Sequence, residues 1–183
     1  MNNLVERARK ILLEPQAAWV EIRSEDSSTA EVVQNYLIYM AAIPVVSHFL
    51  GQVLLATPRL HVIPALIAAV VFYLLIFIAI TIAAMVINAV APEFQARNDE
   101  TTAFKLVAYS CTAPFLASAF LIIPALSTLA ILGFYGIYIL YLGIPELTDC
   151  PQDKALGYTV ASVITLVVLT ALTYGLASIF TCR

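Results

Sequence analysis

AFKLVAYSCTAPFLASAFLIIPALSTLAILGFYGIYILYLGIPEL, residues 103–147, decides the fold. Between Lys105 and Glu146 it carries no charged side chain over 40 residues, and Pro124 sits near the middle. A helix that crosses a bilayer needs about 20 predominantly apolar residues. The run is therefore long enough for two helices folded back at Pro124. In hydrocarbon every backbone amide and carbonyl must be bonded within the chain, so the spans are expected to be helical. This hairpin is expected to be the centre of a small integral membrane protein.

The rest of the chain has the same character. Of 183 residues, 62% are hydrophobic and 11% charged, where soluble domains carry about 25% charged residues. The charges are clustered. They leave neutral runs at 32–58, 60–92, 106–145 and 155–182, each longer than the roughly 18 residues that mark a membrane-helix candidate. A membrane β-barrel would alternate polar and apolar residues, and residues 76–91 do not. The net charge of −3, with no basic stripe, argues against nucleic acid as a partner. Cys111, Cys150 and Cys182 are far apart and form no C-x-x-C pair, so neither a metal nor a cofactor is expected. Arg7, Arg9 and Lys10 are followed by only Ile11, Leu12 and Leu13 before Glu14, too short for a secretory signal.

These features predict an all-α integral membrane protein, a five-transmembrane-helix bundle with an N-terminal amphipathic interfacial helix. Residues 1–31 form the N-terminal segment and 32–183 the membrane domain, with spans at about 33–56, 62–89, 106–122, 126–141 and 157–180. In residues 4–14, Leu4, Val5, Ala8, Ile11 and Leu12 share one helical face. Such a helix either lies in the headgroup layer or packs on the protein's own loops. Trp19 suits the membrane–water interface.

Inside the spans the polar groups are few. Tyr36, Met40, Pro44, His48 and Gln52 recur every fourth residue and share a face of the first span. Pro44 is expected to kink it. Tyr109 and Thr112 precede Pro114, which breaks the third span. His48, Gln52, Tyr109 and Thr112 are the candidate intramembrane polar site. They either line a path for a solute or proton or bond helices to one another. The fourth span carries Gly133, Gly136 and Gly143, which permit close helix contact. The Ser and Thr residues of the last span are spread around the helix and are read as bonding their own backbone.

Charge decides the topology. With five spans, seven of nine Lys and Arg residues and all twelve carboxylates fall on one side. The positive-inside rule then places the N-terminus in the cytoplasm and the C-terminus outside. The cytoplasmic loops carry six carboxylates, Glu93, Asp99, Glu100, Glu146, Asp149 and Asp153, against Arg97, Lys105 and Lys154. They form a candidate docking surface for a basic partner or a divalent cation, or are ordinary solvated loop charge.

Several motifs resemble those of the Yip family of membrane proteins, in its bacterial inner-membrane branch. They are P-x-x-x-W at 15–19, F-K-L-V-A-Y-S-C-T-A-P at 104–114, I-I-P at 122–124, G-F-Y-G-I-Y-I-L-Y-L-G-I-P at 133–145 and K-A-L-G-Y at 154–158. The resemblance implies five spans with a cytoplasmic N-terminus and offers no catalytic residues. Eukaryotic relatives are associated with Rab-type GTPases; this chain lacks their long cytosolic N-terminal region, so that partnership is not carried over.

The leading expectation is a non-enzymatic polytopic protein that binds or organises membrane partners, in contact with the lipid bilayer and with other membrane proteins or further copies of itself. The alternative is a small permease or channel for an ion or solute at the polar faces near Pro44 and Pro114, since interrupted helices build many transporter sites. Against it stands the absence of charged residues within the spans. An intramembrane enzyme has no motif to support it: H-E-x-x-H, G-x-S-x-G and paired intramembrane aspartates are all missing.

Overall fold

The computed structural model describes residues 4–55 and 62–179. The turn expected at 57–61 and the expected span ends at 56 and 180 lie outside the described residues. Two short helices, α1 (Leu4–Leu13) and α2 (Pro15–Ser24), come first. Five helices long and apolar enough to cross a membrane follow: α3 (Thr29–Leu54), α4 (Val62–Phe94), α5 (Glu100–Ile122), α6 (Ala125–Thr148) and α7 (Gln152–Ser178). No strand occurs among the described residues.

Local sequence sets the starts and stops. Pro15 ends α1 and opens α2, the first-turn position where a missing N–H does no harm. Ser28 and Glu31 form a capping box ahead of α3: the Ser28 hydroxyl accepts from the Glu31 amide while the Glu31 carboxylate accepts from the Ser28 amide. Asp99 caps α5 by accepting from the Thr102 amide at 2.8 Å. Asp149, at φ 53°, ends α6 in the left-handed conformation that Asp tolerates, and Pro151 follows.

The proline-containing spans depart from regular α-helix in different ways. Around Pro44 the α-helix of α3 (Ile38–Leu50) is flanked by π-helical turns at Val33–Leu37 and Gly51–Leu55. After Pro114, α5 tightens into a 3₁₀ turn at Ser118–Ile122, and α6 begins as a 3₁₀ helix over Pro124–Phe134. The hairpin at Pro124 is therefore present, but its arms are unequal. The most apolar window of α5 is 56% buried inside the protein, and that of α6 only 17%, the lowest of the five. The centre of the bundle is α5, which packs on α3, α4 and α6, with α4 lying between α3 and α7. The first half of α6 turns Leu126, Leu129, Ile131, Leu132 and Phe134 outward, where spanning helices meet lipid.

Within α7, Thr159, Ser162, Thr165 and Thr173 each donate to the carbonyl four residues back, and Ser178 to the one three back. These hydroxyls are bonded to their own helix.

α1 and α2 form a hairpin packed on the bundle rather than standing apart from it. α1 buries Ala8 and Ile11; α2 buries Ala18, Trp19 and Ile22. Trp19, expected at the membrane–water interface, is 1% exposed. Its ring meets protein because Gly143 opens space for it on α6.

Candidate functional site

Three polar groupings stand out, and they do not coincide. The first lies among α1, α2, α3 and α5. Thr112 donates to the Tyr109 carbonyl at 2.5 Å, and its hydroxyl shares a 2.6 Å hydrogen bond with Tyr36. The Tyr36 and Tyr109 rings are 4.8 Å apart, and Trp19 packs edge-on to Tyr109. The Arg7 guanidinium lies 5.8 Å from the centre of the Tyr109 ring, within cation–π range. A 630 Å³ pocket beside this grouping is lined by Arg7, Glu25, Tyr36 and Tyr109 among others.

The second grouping is farther along α3. His48 Nε2 and Gln52 Nε2 are 2.7 Å apart, and the His48 ring packs against Phe72 and Tyr174. Twelve residues separate Tyr36 from His48, about 18 Å along a helix. The four intramembrane residues singled out from sequence thus fall into two pairs, Tyr109 with Thr112 and His48 with Gln52. Beside the second pair are two abutting cavities that share Pro44, Ser118 and Tyr174. One, of 140 Å³, reaches Pro114 and is walled mainly by apolar side chains of α4, α5 and α7. The other, of 130 Å³, holds Ser47, His48, Gly51 and Gln52.

The third grouping is the charged end of the bundle. Arg7 pairs with Glu25 and Lys10 with Glu21. Arg23 reaches across to α6, donating to the Glu146 carbonyl at 2.7 Å and to the Asp149 carboxylate at 2.6 Å. Lys105, buried in the first turns of α5, donates to the Glu25 carbonyl at 2.8 Å. Burial alone would pull the Arg7 guanidinium down, but the Glu25 bond and the nearby charges outweigh it and hold the group above its usual range. The Glu21 hydrogen bond likewise raises Lys10. Hydrogen bonds from Thr102, chiefly its hydroxyl, hold Asp99 below the usual carboxylate range. Burial and the Asp153 carboxylate push the Cys150 thiol up.

Of the six loop carboxylates, Glu146 and Asp149 share Arg23, and Asp99 is engaged as a helix cap. Glu93, Glu100 and Asp153 are exposed. Among the described residues no group of three or more His, Cys, Asp or Glu side chains could hold a metal ion, so the divalent-cation expectation finds no cluster to rest on.

The motif residues meet one another. A Cβ on Gly136 would fall 2.8 Å from Pro114 Cδ and from the Ser110 carbonyl oxygen, the carbonyl that Pro114 leaves without its helical donor. A Cβ on Gly143 would fall 2.6 Å from Trp19 Cε2. A comparison with known families matches residues 9–173 to the Yip1 domain. The chain belongs to the Yip1-domain family. The Yip1 match covers both polar pairs, the six carboxylates and every residue lining the two joined cavities except Tyr174. Two relatives, each named inner membrane protein YohC, come from Escherichia coli strain K12 and Escherichia coli O6:H1. Each is 26% identical over 167 residues, covering 83% of this chain and 86% of the relative. No solved structure matches the chain.

Sequence reasoning did not single out Arg7, Tyr36 and Tyr174 as site residues. The four-residue spacing that pointed to His48 also contained Tyr36, so a signal for it existed. Tyr174 has none: it meets His48 only because α7 packs beside α4.

Proposed function

We propose that this Yip1-domain membrane protein is a non-enzymatic scaffold of a bacterial inner membrane, with its N-terminus in the cytoplasm, that binds or organises other membrane proteins through its charged end. The observation that carries the reading is the division of its polar chemistry. Ion pairs and loop carboxylates gather at one end, while the polar groups of the spans bond one another as Tyr36–Thr112 and His48–Gln52. The concentration of Lys and Arg at that end supports the orientation, and the name of the two relatives supports the membrane. Exposed Val5 and Leu13, 75% and 67% accessible beside the buried Ala8 and Ile11, suit an α1 that rests in the headgroup layer.

A photoreactive residue placed at Glu93 or Glu100 in cells tests this. The expected result is a discrete protein adduct from those positions and none from Ile131, lost when Asp149 and Asp153 are both replaced by Lys. Absence of adducts at the charged end, or adducts indifferent to the charge reversal, overturns the proposal.

The cavities beside Pro44 and Pro114 favour one second reading, a small permease. It requires that His48→Ala abolish solute flux in liposomes while the melting temperature stays near wild type. Unchanged flux removes it.

A further inference from the structure

The joined cavities have two chemically different halves. The half between α4, α5 and α7 is built from Phe72, Ile76, Ile80, Phe115, Leu166 and Leu169. An apolar cavity of about 150 Å³ stays dry and accepts hydrocarbon rather than water, and this half measures 140 Å³. Its walls reach the outer surface of the bundle at Thr170 and Tyr174, both exposed, the latter by 40%. Within a bilayer, what lies at that opening is lipid.

The other half is polar and incompletely satisfied. The Gln52 amide N–H donates to His48 Nε2, so that nitrogen is unprotonated and the ring proton sits on Nδ1. Gln52 Oε1 is buried and has no hydrogen-bond partner among the described residues. A buried acceptor without a donor is costly in a membrane-spanning segment. No Lys or Arg lines either cavity among the described residues. An anionic head group would therefore find no counter-charge here, whereas a head that donates a hydrogen bond would find an acceptor.

We infer that these cavities form a lipid site: one hydrocarbon chain lies between α3, α4, α5 and α7, and an ethanolamine head group donates to Gln52 Oε1. Pro44 and Gln52 are eight residues apart, about 12 Å along α3, which separates the chain region from the head region. Ethanolamine carries N–H donors on a zwitterionic head. Choline, with the same phosphate and chains, has none. The site needs no protein partner, so its test is independent of the scaffold reading.

The experiment reconstitutes the purified protein in nanodiscs of ethanolamine and choline phospholipids, equimolar and with identical chains. Native mass spectrometry then counts the lipid that stays bound after extraction. The wild type is expected to retain one lipid, with ethanolamine favoured about fivefold, the size of one hydrogen bond. Gln52→Leu is expected to keep the lipid and lose the preference. Ala79→Leu, which fills the apolar half, is expected to lower retention of both lipids at an unchanged melting temperature. If that variant melts early, Thr170→Leu on the exposed wall replaces it. No preference in the wild type, a preference that survives Gln52→Leu, or undiminished retention in the filled variant overturns the inference.

Discussion

Gly143 lies so close to Trp19 that a Cβ there would sit 2.6 Å from Cε2 and 2.7 Å from Cζ2 of the indole. The same indole donates its N–H to the Ile139 carbonyl at 2.9 Å. One residue of the N-terminal hairpin is thus fixed to α6 by shape and by a directed bond. Arg23, one turn further along α2, repeats the attachment at Glu146 and Asp149. The hairpin is a fastened part of the bundle.

Gly143→Ala is expected to destabilise the protein by about 1–3 kcal/mol, the usual penalty of overpacking a filled core, because Leu106 Cδ1 closes the other side at 2.8 Å. Trp19→Phe loses about 1 kcal/mol for the hydrogen bond, with further loss from the smaller ring. The smaller ring should also make room for the alanine. Thermal melts of both single variants and the double variant test this, and the double variant should lose less than the sum.

The Tyr36–Thr112 bond, 2.6 Å long and buried, predicts a coupling measurable by a double-mutant cycle. Tyr36→Phe and Thr112→Val should show an interaction energy of about 0.6 kcal/mol, the typical value for hydrogen bonds between membrane helices. A coupling of zero would mean that each hydroxyl finds another partner when its mate is removed.

The spans were legible in the sequence because hydrocarbon permits so few solutions: four neutral runs, one of them folded at Pro124, leave little but five helices. The unequal burial of α5 and α6 was not legible. Both arms are apolar enough to span, and in a membrane hydropathy does not distinguish a lipid-facing leucine from a buried one. The polar residues were recognisable individually, yet their pairing depends on depth. Tyr109 and Thr112 lie before Pro114 and meet Tyr36, near the charged end of α3. His48 and Gln52 occupy the far end of the same helix. The seat of Trp19 was not legible because its partner, Gly143, is distant in the chain and shows only as a missing side chain.

Asp99 predicts an acid-sensitive start to α5. Its bonds from Thr102 hold its pKa below the usual value against the upward pull of burial. A depressed carboxylate stabilises the fold fully above its unfolded pKa, about 3.9, and the contribution is lost as pH falls through the folded value. Protection of the Thr102 and Ala103 amides from hydrogen exchange should therefore drop below about pH 4 in the wild type. Asp99→Asn, which still accepts a bond but does not titrate, should show a flat profile over that range. Asp99→Ala should lose about 1 kcal/mol at neutral pH through the missing cap.

The two ion pairs of the hairpin should respond differently to salt. The Arg7 side chain is 13% exposed and the Lys10 side chain 38%, while their partners Glu25 and Glu21 are equally accessible at 29%. Screening acts on solvated charges and much less on sheltered ones. Arg7 also packs on the Tyr109 ring, a contact that salt does not dissolve. Arg7→Met leaves Glu25 without its cation and should lower the melting temperature clearly at both 50 mM and 1 M sodium chloride. Lys10→Met should lower it slightly at 50 mM and not at all at 1 M. Equal salt sensitivity of the two variants would mean that Arg7 is as solvated as Lys10, and that α1 does not stay seated against α5.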